Sequence, residues 1–367
     1  MASSQTVSFL HITDPAVSGG GADVRYDNLV RRLAPLNVRR VEATEVSKGT
    51  LRAWSARFLY ALRGVPPRLF HPTDNTDSVK RLRHDNSTVI ASTIWSASLL
   101  PRSRRSRMIY DAHNVEWLVQ RQLAAQSKSP VRKLAYTVTL PWTRRWETSL
   151  VRSVSDVWAV TEADAATFRA MGARRVAVVR NGCEVHTAVD LRKTGATLLF
   201  VGSLRARFNR EGVEWFLNDC LPLIRASEPD VEVVLVGAGG EDLGGARVRS
   251  LGFVDDLSSI YQAARAVIVP LLAGGGSRLK IAEAAGWGVP VISTSVGAEG
   301  YETGDSVGIR IADTAEGFAG ECAHLLASAS EASALGAAAH RIAATIYSWD
   351  YAAAIAAGRV RETTAID

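Results

Sequence analysis

The chain has 367 residues and a formal net charge of +6, and this length suggests about two domains, each able to bury an ordinary hydrophobic core. Its apolar runs are all shorter than the roughly 20 residues of a membrane-spanning helix, and its three cysteines are far apart and form no CxxC pattern. The sequence therefore argues against an integral membrane protein, a disulfide framework and a metal cluster, and it favours a cytoplasmic protein.

Predicted strands and helices alternate along the whole chain, which is the pattern of parallel α/β sheets. The predicted helices of the first half include 22–33 and a long stretch over 115–153 that is interrupted at Pro130 and Pro141. The predicted strands are, in chain order, 7–12, one near Val38, 88–93, 107–112, 156–160 and 175–179, followed by 196–202, 231–237, one near Val248, 266–270, 289–294 and 307–311.

A polar, turn-rich segment over residues 181–194 separates two βαβ sets of similar size. We therefore expect one domain over residues 1–182, a second over 183–345, and a helical tail over 346–367.

The charge is distributed unevenly between the two halves. Residues 1–180 contain 28 Lys and Arg against 14 Asp and Glu, whereas the rest of the chain contains 15 against 23. A basic first half would attract an anionic membrane, an acidic substrate or nucleic acid, and a solvated arginine-rich surface is the alternative explanation. We expect no nucleic-acid partner, because no platform of aromatic and basic residues is evident.

Two strand ends in the first half are candidates for a ligand site. The first strand is followed by SGGGAD, in which Gly20 and Gly21 would let a substrate approach the backbone closely, unless the segment is an ordinary strand-to-helix turn. His113 follows strand 107–112, at the carboxyl edge where open α/β sheets bind ligands. Its imidazole is either a functional group or a structural histidine.

The loop that follows strand 196–202 carries several cations. Gly202 and Ser203 end this strand, and an arginine-rich segment then precedes the next helix. Arginine offers a rigid fork of N–H donors that suits phosphate, so the loop is either a phosphate-binding segment or an exposed basic loop. The candidate donors are Arg205, Arg207, Asn209 and Arg210.

The most informative segment is the helix start between strands 266–270 and 289–294. It contains Gly275, Gly276, Ser277, Arg278, Leu279 and Lys280. Ser277 is the predicted N-cap, and the first turn carries two cations where acids are normally favoured, which indicates a bound phosphate. Glu283 would reach back toward a hydroxyl-bearing group attached to that phosphate. The alternative is a serine-capped glycine loop whose cations are in solvent.

Several blocks of the sequence, taken in order, resemble the retaining GT-B glycosyltransferases of the glycogen-synthase-like group, glycosyltransferase family 4. The blocks are SGGGADVRYDNLV, YDAHNVEW, VWAVTEADAATF, RNG, LLFVGSL and GGGSRLKIAEAAGWGVPVISTSVGAEGY. The resemblance implies two Rossmann-like parallel-sheet domains facing a cleft. It implies acceptor binding mainly by the first domain, nucleotide-sugar binding mainly by the second, and packing of the C-terminal helix over 346–367 back on the first.

The resemblance also implies roles for single residues. Glu283 matches the glutamate that binds the ribose hydroxyls of the donor, and Ser277 to Lys280 match the helix-start residues that hold the diphosphate. His113 matches a histidine near the transferred sugar, while Gly20 and Gly21 match the glycine loop near the donor phosphates and the acceptor.

The sequence departs from the family pattern at three positions. Gly275 stands where the first glutamate of the family's pair is expected, and Ser203 stands where an arginine is common. The lysine a few positions later has no match, and Asn209 is the nearest residue. Arg205, Arg207 and Arg210 are the candidates for the missing charge.

From these features we predict a retaining glycosyltransferase that moves a sugar from a nucleoside diphosphate, expected to be UDP, to a hydroxyl acceptor. No HExxH, Walker or GxSxG motif is present, so neither a metal nor a resident cofactor is expected. The acceptor is open between a lipid-linked glycan, with peripheral contact at an anionic inner membrane face, and a soluble natural product. The alternatives are a nucleotide-sugar epimerase or hydrolase of GT-B-like fold, and a non-catalytic sugar-nucleotide or nucleic-acid binding protein.

Overall fold

A computed structural model describes residues 6–13, 21–45, 65–66, 73–74, 77–127, 129–273 and 278–366. The chain divides into two compact units. One comprises Met1–Arg180 together with Ala352–Asp367, and the other comprises Asn181–Tyr351. Each unit is built on a largely parallel sheet with helical crossovers, so the predicted α/β class with two Rossmann-like sheets is confirmed.

The first unit contains a seven-stranded sheet in the order β3-β2-β1-β4-β5-β6-β7, in which only β3 runs antiparallel to its neighbour. Its strands are β1 (Val7–Thr13), β2 (Val38–Glu45), β3 (Thr73–Asp74), β4 (Thr88–Ser92), β5 (Met108–Ala112), β6 (Asp156–Ala159) and β7 (Val176–Val178). Its helices are α1 (Gly21–Leu33), α2 (Asp77–Leu82), α3 (Thr93–Ser98), α4 (Glu116–Gln126), α5 (Pro130–Ser153) and α6 (Glu162–Ala170), with 3-10 turns at Ala34–Leu36 and Arg102–Arg107.

The second unit contains a six-stranded parallel sheet in the order β10-β9-β8-β11-β12-β13. Its strands are β8 (Thr197–Val201), β9 (Glu232–Val236), β10 (Val248–Ser250), β11 (Ala266–Val269), β12 (Val291–Ser293) and β13 (Ile309–Ile311). Its helices are α7 (Arg207–Trp215), α8 (Leu221–Ser227), α9 (Ser258–Ala263), α10 (Leu279–Gly286), α11 (Ala315–Ala327) and α12 (Ala329–Thr345), with a π turn at Phe216–Cys220 and a 3-10 turn at Asp305–Val307. The last helix, α13, is Trp349–Ile366.

The strands are buried on both faces because helices cover the sheets. In β8, Leu198 and Phe200 belong to one apolar cluster, and Leu199, which points to the opposite face, belongs to another. This double burial explains why the strands read as nearly continuous apolar runs. Every predicted strand has an observed counterpart, whereas the two-residue strand β3 was not predicted.

The predicted interruption at Pro141 is wrong, because α5 continues through it from Pro130 to Ser153. Proline removes one backbone donor, so it leaves a carbonyl four residues earlier without its helical partner. Pro141 and Thr137 both lie on the exposed side of the helix, where water can solvate that carbonyl. Pro130, by contrast, is the first helical residue, and the Ser129 side chain caps the helix.

Two charged contacts involve the first unit's edge and its last helix. The guanidinium of Arg359 donates to both carboxylate oxygens of the buried Asp156 at 2.7 Å. Arg175 pairs with Glu362 at 2.5 Å.

Among the described residues, no helix combines the length and the apolar character that crossing a membrane requires.

Candidate functional site

Three neighbouring strands of the second sheet lead into glycines at their carboxyl ends. The Gly202 N–H donates to the carbonyl of Val236 at 2.8 Å, and the Gly237 N–H donates to that of Gly252 at 2.7 Å. Gly202 and Gly237 have φ values of 154° and 137°, and a Cβ on Gly237 would overlap the carbonyl oxygen of Gly202. Glycine is therefore required here, and it leaves open backbone at the edge where such sheets bind ligands.

Asn209 and Lys280 lie directly beside Gly202. The buried Asn209 amide donates to the carbonyl of Ser203 at 2.8 Å and accepts from the Lys280 ammonium at 3.1 Å. A Cβ on Gly202 would be 2.8 Å from Lys280 Nζ. The structure thus brings together four residues that the sequence singled out from two distant segments.

The Lys280 side chain is enclosed by the protein, and this burial disfavours its charged form. Its Nζ atom lies 4.1 Å from the centroid of the Phe200 ring. Burial, helped by the positive charge of Arg278 and opposed by Glu283, lowers the pKa of Lys280 to about 7. An anion beside Nζ would restore the charge, so the group is suited to respond to a bound phosphate.

Helix α10 begins later than predicted. Leu279 is its first residue and Arg278, with an extended conformation, takes the N-cap position, so the predicted N-cap at Ser277 is wrong. The first turn contains no acidic residue, as expected. Arg278 is buried with its guanidinium carbon 5.6 Å from the centroid of the Phe208 ring, and burial lowers its pKa. Gly275, Gly276 and Ser277 lie outside the described residues, so the glycine cradle stays a prediction.

Glu283 lies one turn beyond Lys280 on the same helix. Burial raises the pKa of its carboxyl, while Lys280 and the Tyr261 hydroxyl oppose that shift. Tyr261 is fully buried, and its ring stacks on Trp287 at 5.7 Å between centroids. A partly buried carboxylate at this position can accept hydrogen bonds from sugar hydroxyl groups.

The three arginines that follow β8, Arg205 before α7 and Arg207 and Arg210 within it, differ in their contacts. Arg207 pairs with Glu211 at 2.7 Å, and Arg210 binds both carboxylate oxygens of Asp242, the shorter contacts being 2.5 and 2.6 Å. Arg205 is exposed, and none of the described carboxylates lies within ion-pair distance of it. Arg205 is therefore the arginine whose charge is most available.

Sequence reasoning missed an aromatic residue at the same sheet edge. Phe253 follows β10, directly after Gly252, and is 72% exposed. An isolated exposed phenylalanine beside the glycine strand ends offers a flat apolar surface on which a nucleobase can stack. The GFVDD segment after a predicted strand was the available signal.

The first unit brings His113 into a hydrogen-bonded chain at the ends of β1, β4 and β5. The Ser92 hydroxyl lies 3.3 Å from Nε2 of His113 and 3.2 Å from Nδ1 of His11. Nε2 of His11 lies 2.8 Å from a carboxylate oxygen of Asp23. Burial lowers the pKa of His113, which keeps its imidazole neutral near pH 7. Of these residues, only His113 was singled out from the sequence.

Asp111 links His113 to a buried arginine. Its carboxylate lies 3.5 Å from Nε2 of His113 and accepts from Arg25 at 2.6 and 3.1 Å, and the side chains of Arg25 and Asp111 are fully buried. Burial opposes the ionisation of Asp111, but Arg25 and His113 outweigh it and hold the pKa of the carboxyl well below its usual range. The carboxylate therefore stays charged and orients the imidazole.

The chain is strained where it leaves β4. Thr93, a β-branched residue, has a φ of 77°, and it directly follows Ser92. Such conformations are costly for branched side chains and are found mainly at functional sites. The strain therefore supports a functional reading of the contact that Ser92 makes with both histidines.

The remaining predicted residues of the first unit are Gly20 and Gly21. Gly21 is the first residue of this helix and is exposed. Gly20 lies outside the described residues, so its approach to a ligand stays a prediction. Among the described residues, no group of three His, Cys, Asp or Glu side chains is placed to hold a metal ion.

One family model and one curated relative match parts of the chain. Residues 195–328 match the model of a family described as glycosyl transferases group 1. An uncharacterised 44.6 kDa protein in the cps region of Klebsiella pneumoniae is 28% identical over 129 residues, which are 32% of this chain and 33% of that protein. The alignment thus spans about a third of that relative's length.

Three similar solved structures cover nearly the whole chain. Sucrose-phosphate synthase from Thermosynechococcus elongatus has a TM-score of 0.71 at 16% identity, covering 99% of this chain and 100% of that one. WaaG, a glycosyltransferase involved in lipopolysaccharide biosynthesis, has a TM-score of 0.66 at 16% identity over 95% and 99% of the two chains. Anabaena HepE has a TM-score of 0.64 at 16% identity over 98% and 99%. The chain therefore has the GT-B fold of two Rossmann-like domains, and its residues 195–328 are similar to the group 1 glycosyl transferases.

Proposed function

We propose that the protein is a glycosyltransferase that moves a sugar from UDP to a hydroxyl acceptor. The observation that carries this proposal is the cluster of Gly202, Asn209, Lys280 and Glu283 at one sheet edge. The open backbone at Gly202 and the Lys280 cation suit a diphosphate, and the Glu283 carboxylate suits the hydroxyl groups of a ribose joined to it. HepE, solved in complexes with UDP and with UDP-glucose, supports UDP as the nucleotide.

The proposed chemistry follows from where charge develops. As the glycosidic bond breaks, negative charge collects on the leaving diphosphate, and groups that meet this charge lower the barrier. Lys280 supplies a cation whose pKa of about 7 rises when that charge appears. Arg278, Arg205 and the N–H groups of the glycine segment are the proposed further donors, and Glu283 is the proposed ribose ligand.

Other parts of the proposal follow the family resemblance. The first unit is proposed to take the acceptor, with His113 near the transferred sugar, and the second to take the donor. Retention of anomeric configuration and independence of metal ions are proposed on the same basis. Product NMR reads the anomer directly, and activity that persists after dialysis against EDTA supports metal independence.

The decisive experiment separates donor binding from transfer. A thermal-shift screen of nucleoside diphosphates and their sugars should show the largest stabilisation with a uridine compound. Release of UDP that requires a hydroxyl acceptor supports transfer, whereas equal release without acceptor indicates a hydrolase and sugar isomerisation indicates an epimerase. In calorimetry, Glu283→Ala should weaken UDP binding about tenfold or more, and Glu283→Gln should retain part of the affinity. Unchanged affinity in Glu283→Ala removes Glu283 from the donor site.

A further inference from the structure

Helix α5 exposes a stripe of apolar side chains. Val131, Leu134, Val138 and Trp142 are 75%, 65%, 68% and 37% exposed. At about 100° per residue their positions fall on one face of the helix, over a length of about 16 Å. Exposed apolar residues scattered singly need no explanation, but four in line on one helix mark a surface that meets an apolar phase.

A strongly basic groove continues this face toward the end of the helix. Its volume is about 920 Å³, and Arg121, Arg144, Arg145 and Arg152 line it together with Trp117, without any aspartate or glutamate. The guanidinium carbons of Arg144 and Arg121 lie 4.9 and 5.5 Å from the centroid of the Trp117 ring.

The positive charge of the groove is not neutralised locally. Arg121, Arg144 and Arg145 form no ion pair with any described residue, and Arg152 donates only to the carbonyl of Met171 at 2.8 Å. The Trp117 indole N–H is buried and finds no acceptor among the described residues. Several arginines thus face a cavity that offers them no anion.

We propose that this face of α4 and α5 docks on an anionic lipid bilayer, with lipid phosphates in the arginine groove and the apolar stripe inserted among the acyl chains. Arginine forks suit phosphate oxygens, and an aromatic residue beside them suits the membrane interface. The stripe selects a bilayer over nucleic acid, because a polyanionic strand would offer no partner to exposed Val131, Leu134 and Val138. Docking rests on this geometry alone and does not require the proposed sugar transfer.

Flotation of the whole protein with vesicles tests the proposal without donor or acceptor. We expect it to float with phosphatidylcholine vesicles containing 30% phosphatidylglycerol and to stay behind with phosphatidylcholine alone, with loss of binding at high salt. Removing three arginines in R121Q/R144Q/R145Q should weaken partition about a hundredfold, at about 1 kcal/mol for each charge. V131Q/L134Q/V138Q should weaken it at least about tenfold even on anionic vesicles.

Matched controls remove the same groups elsewhere. R169Q/K193Q/R249Q deletes three exposed cations, and Leu223→Gln replaces a leucine that is 45% exposed on α8; both should float like the wild type. Equal partition to both vesicle types, or wild-type flotation of either test variant, overturns the proposal. The proposal is also overturned if the protein forms a dimer that V131Q/L134Q/V138Q abolishes. It is overturned as well if the protein binds RNA through the arginines and does not bind vesicles.

Discussion

The ammonium of Lys280 donates to the side-chain oxygen of Asn209 at 3.1 Å, although the two residues are 71 positions apart. The Asn209 amide is oriented by its own bond to the Ser203 carbonyl, so it presents oxygen to the ammonium. Where the family resemblance leads one to expect a lysine near position 209, this protein has an amide that positions a lysine from another helix. A cation from α10 thus lies beside Gly202.

Donor binding should depend on pH through Lys280. The pKa of about 7 means that the free protein loses this proton above neutral pH, and a bound diphosphate would restore it. Affinity for UDP-glucose should be constant below about pH 7 and fall by up to about tenfold per unit above it. Calorimetry from pH 6 to 8.5 in two buffers of different ionisation enthalpy measures the proton uptake.

Two variants, one at Lys280 and one at an exposed lysine, test whether the pH dependence comes from Lys280. Lys280→Met should bind UDP-glucose weakly and without pH dependence over this range. Lys193→Met, which removes an exposed lysine, should behave like the wild type. Wild-type affinity that does not change between pH 6 and 8.5 contradicts the assignment.

Phe253→Ala should weaken the binding of UDP but not of inorganic pyrophosphate. The exposed ring is proposed to stack on the uracil, and such stacking is worth about 1–3 kcal/mol, or about tenfold or more in affinity. Phe253→Tyr should keep the affinity, because the ring remains. Equal losses for UDP and pyrophosphate would instead indicate a disturbed loop.

Ser92→Ala should slow transfer about tenfold and leave the KM for the donor nearly unchanged. The Ser92 hydroxyl joins His11 and His113, so its loss should also shift the acidic limb of the pH–rate profile. Ser98→Ala is the control, because that hydroxyl bonds only a nearby carbonyl of the same helix. An effect on KM alone, or an unchanged pH profile, speaks against a positioning role.

Asp111→Asn should cost about 3–5 kcal/mol of unfolding free energy, because it removes one charge of a fully buried ion pair with Arg25. The wild-type carboxyl has a lowered pKa, so its contribution is present above about pH 4 and is lost as the pH falls further. Urea unfolding at pH 7 and pH 3 measures both effects.

An exposed-pair variant and a double variant serve as controls for this prediction. Asp230→Asn breaks the exposed pair with Arg247 and should cost less than about 1 kcal/mol. Asp111→Asn combined with Arg25→Met should recover part of the loss, because both charges of the buried pair are then replaced. A loss below about 1 kcal/mol in Asp111→Asn would show that the pair adds little.

The strands were predictable because local pattern decides them. A short apolar run that is rich in β-branched residues, such as 266–270, is typical of a buried strand, and β11 was found there. The grouping of Arg278, Lys280 and Glu283 was predictable for a related reason: they are close in sequence, so one helix start carries them all. The precise start of that helix was not predictable from the sequence, because the position of an N-cap depends on the conformation of a single residue.

By itself, the sequence determined the order of strands and helices, the uneven charge and the identity of the helix that carries Lys280 and Glu283. Only the tertiary structure decided that Asn209 holds Lys280, that Ser92 joins two histidines from other strands, and that α5 continues through Pro141. Periodicity and capping act between neighbours along the chain, so a sequence displays them directly. Hydrogen bonds between side chains 71 or 81 positions apart exist only because parallel strands bring their ends to one edge, and that juxtaposition is a property of the folded sheet.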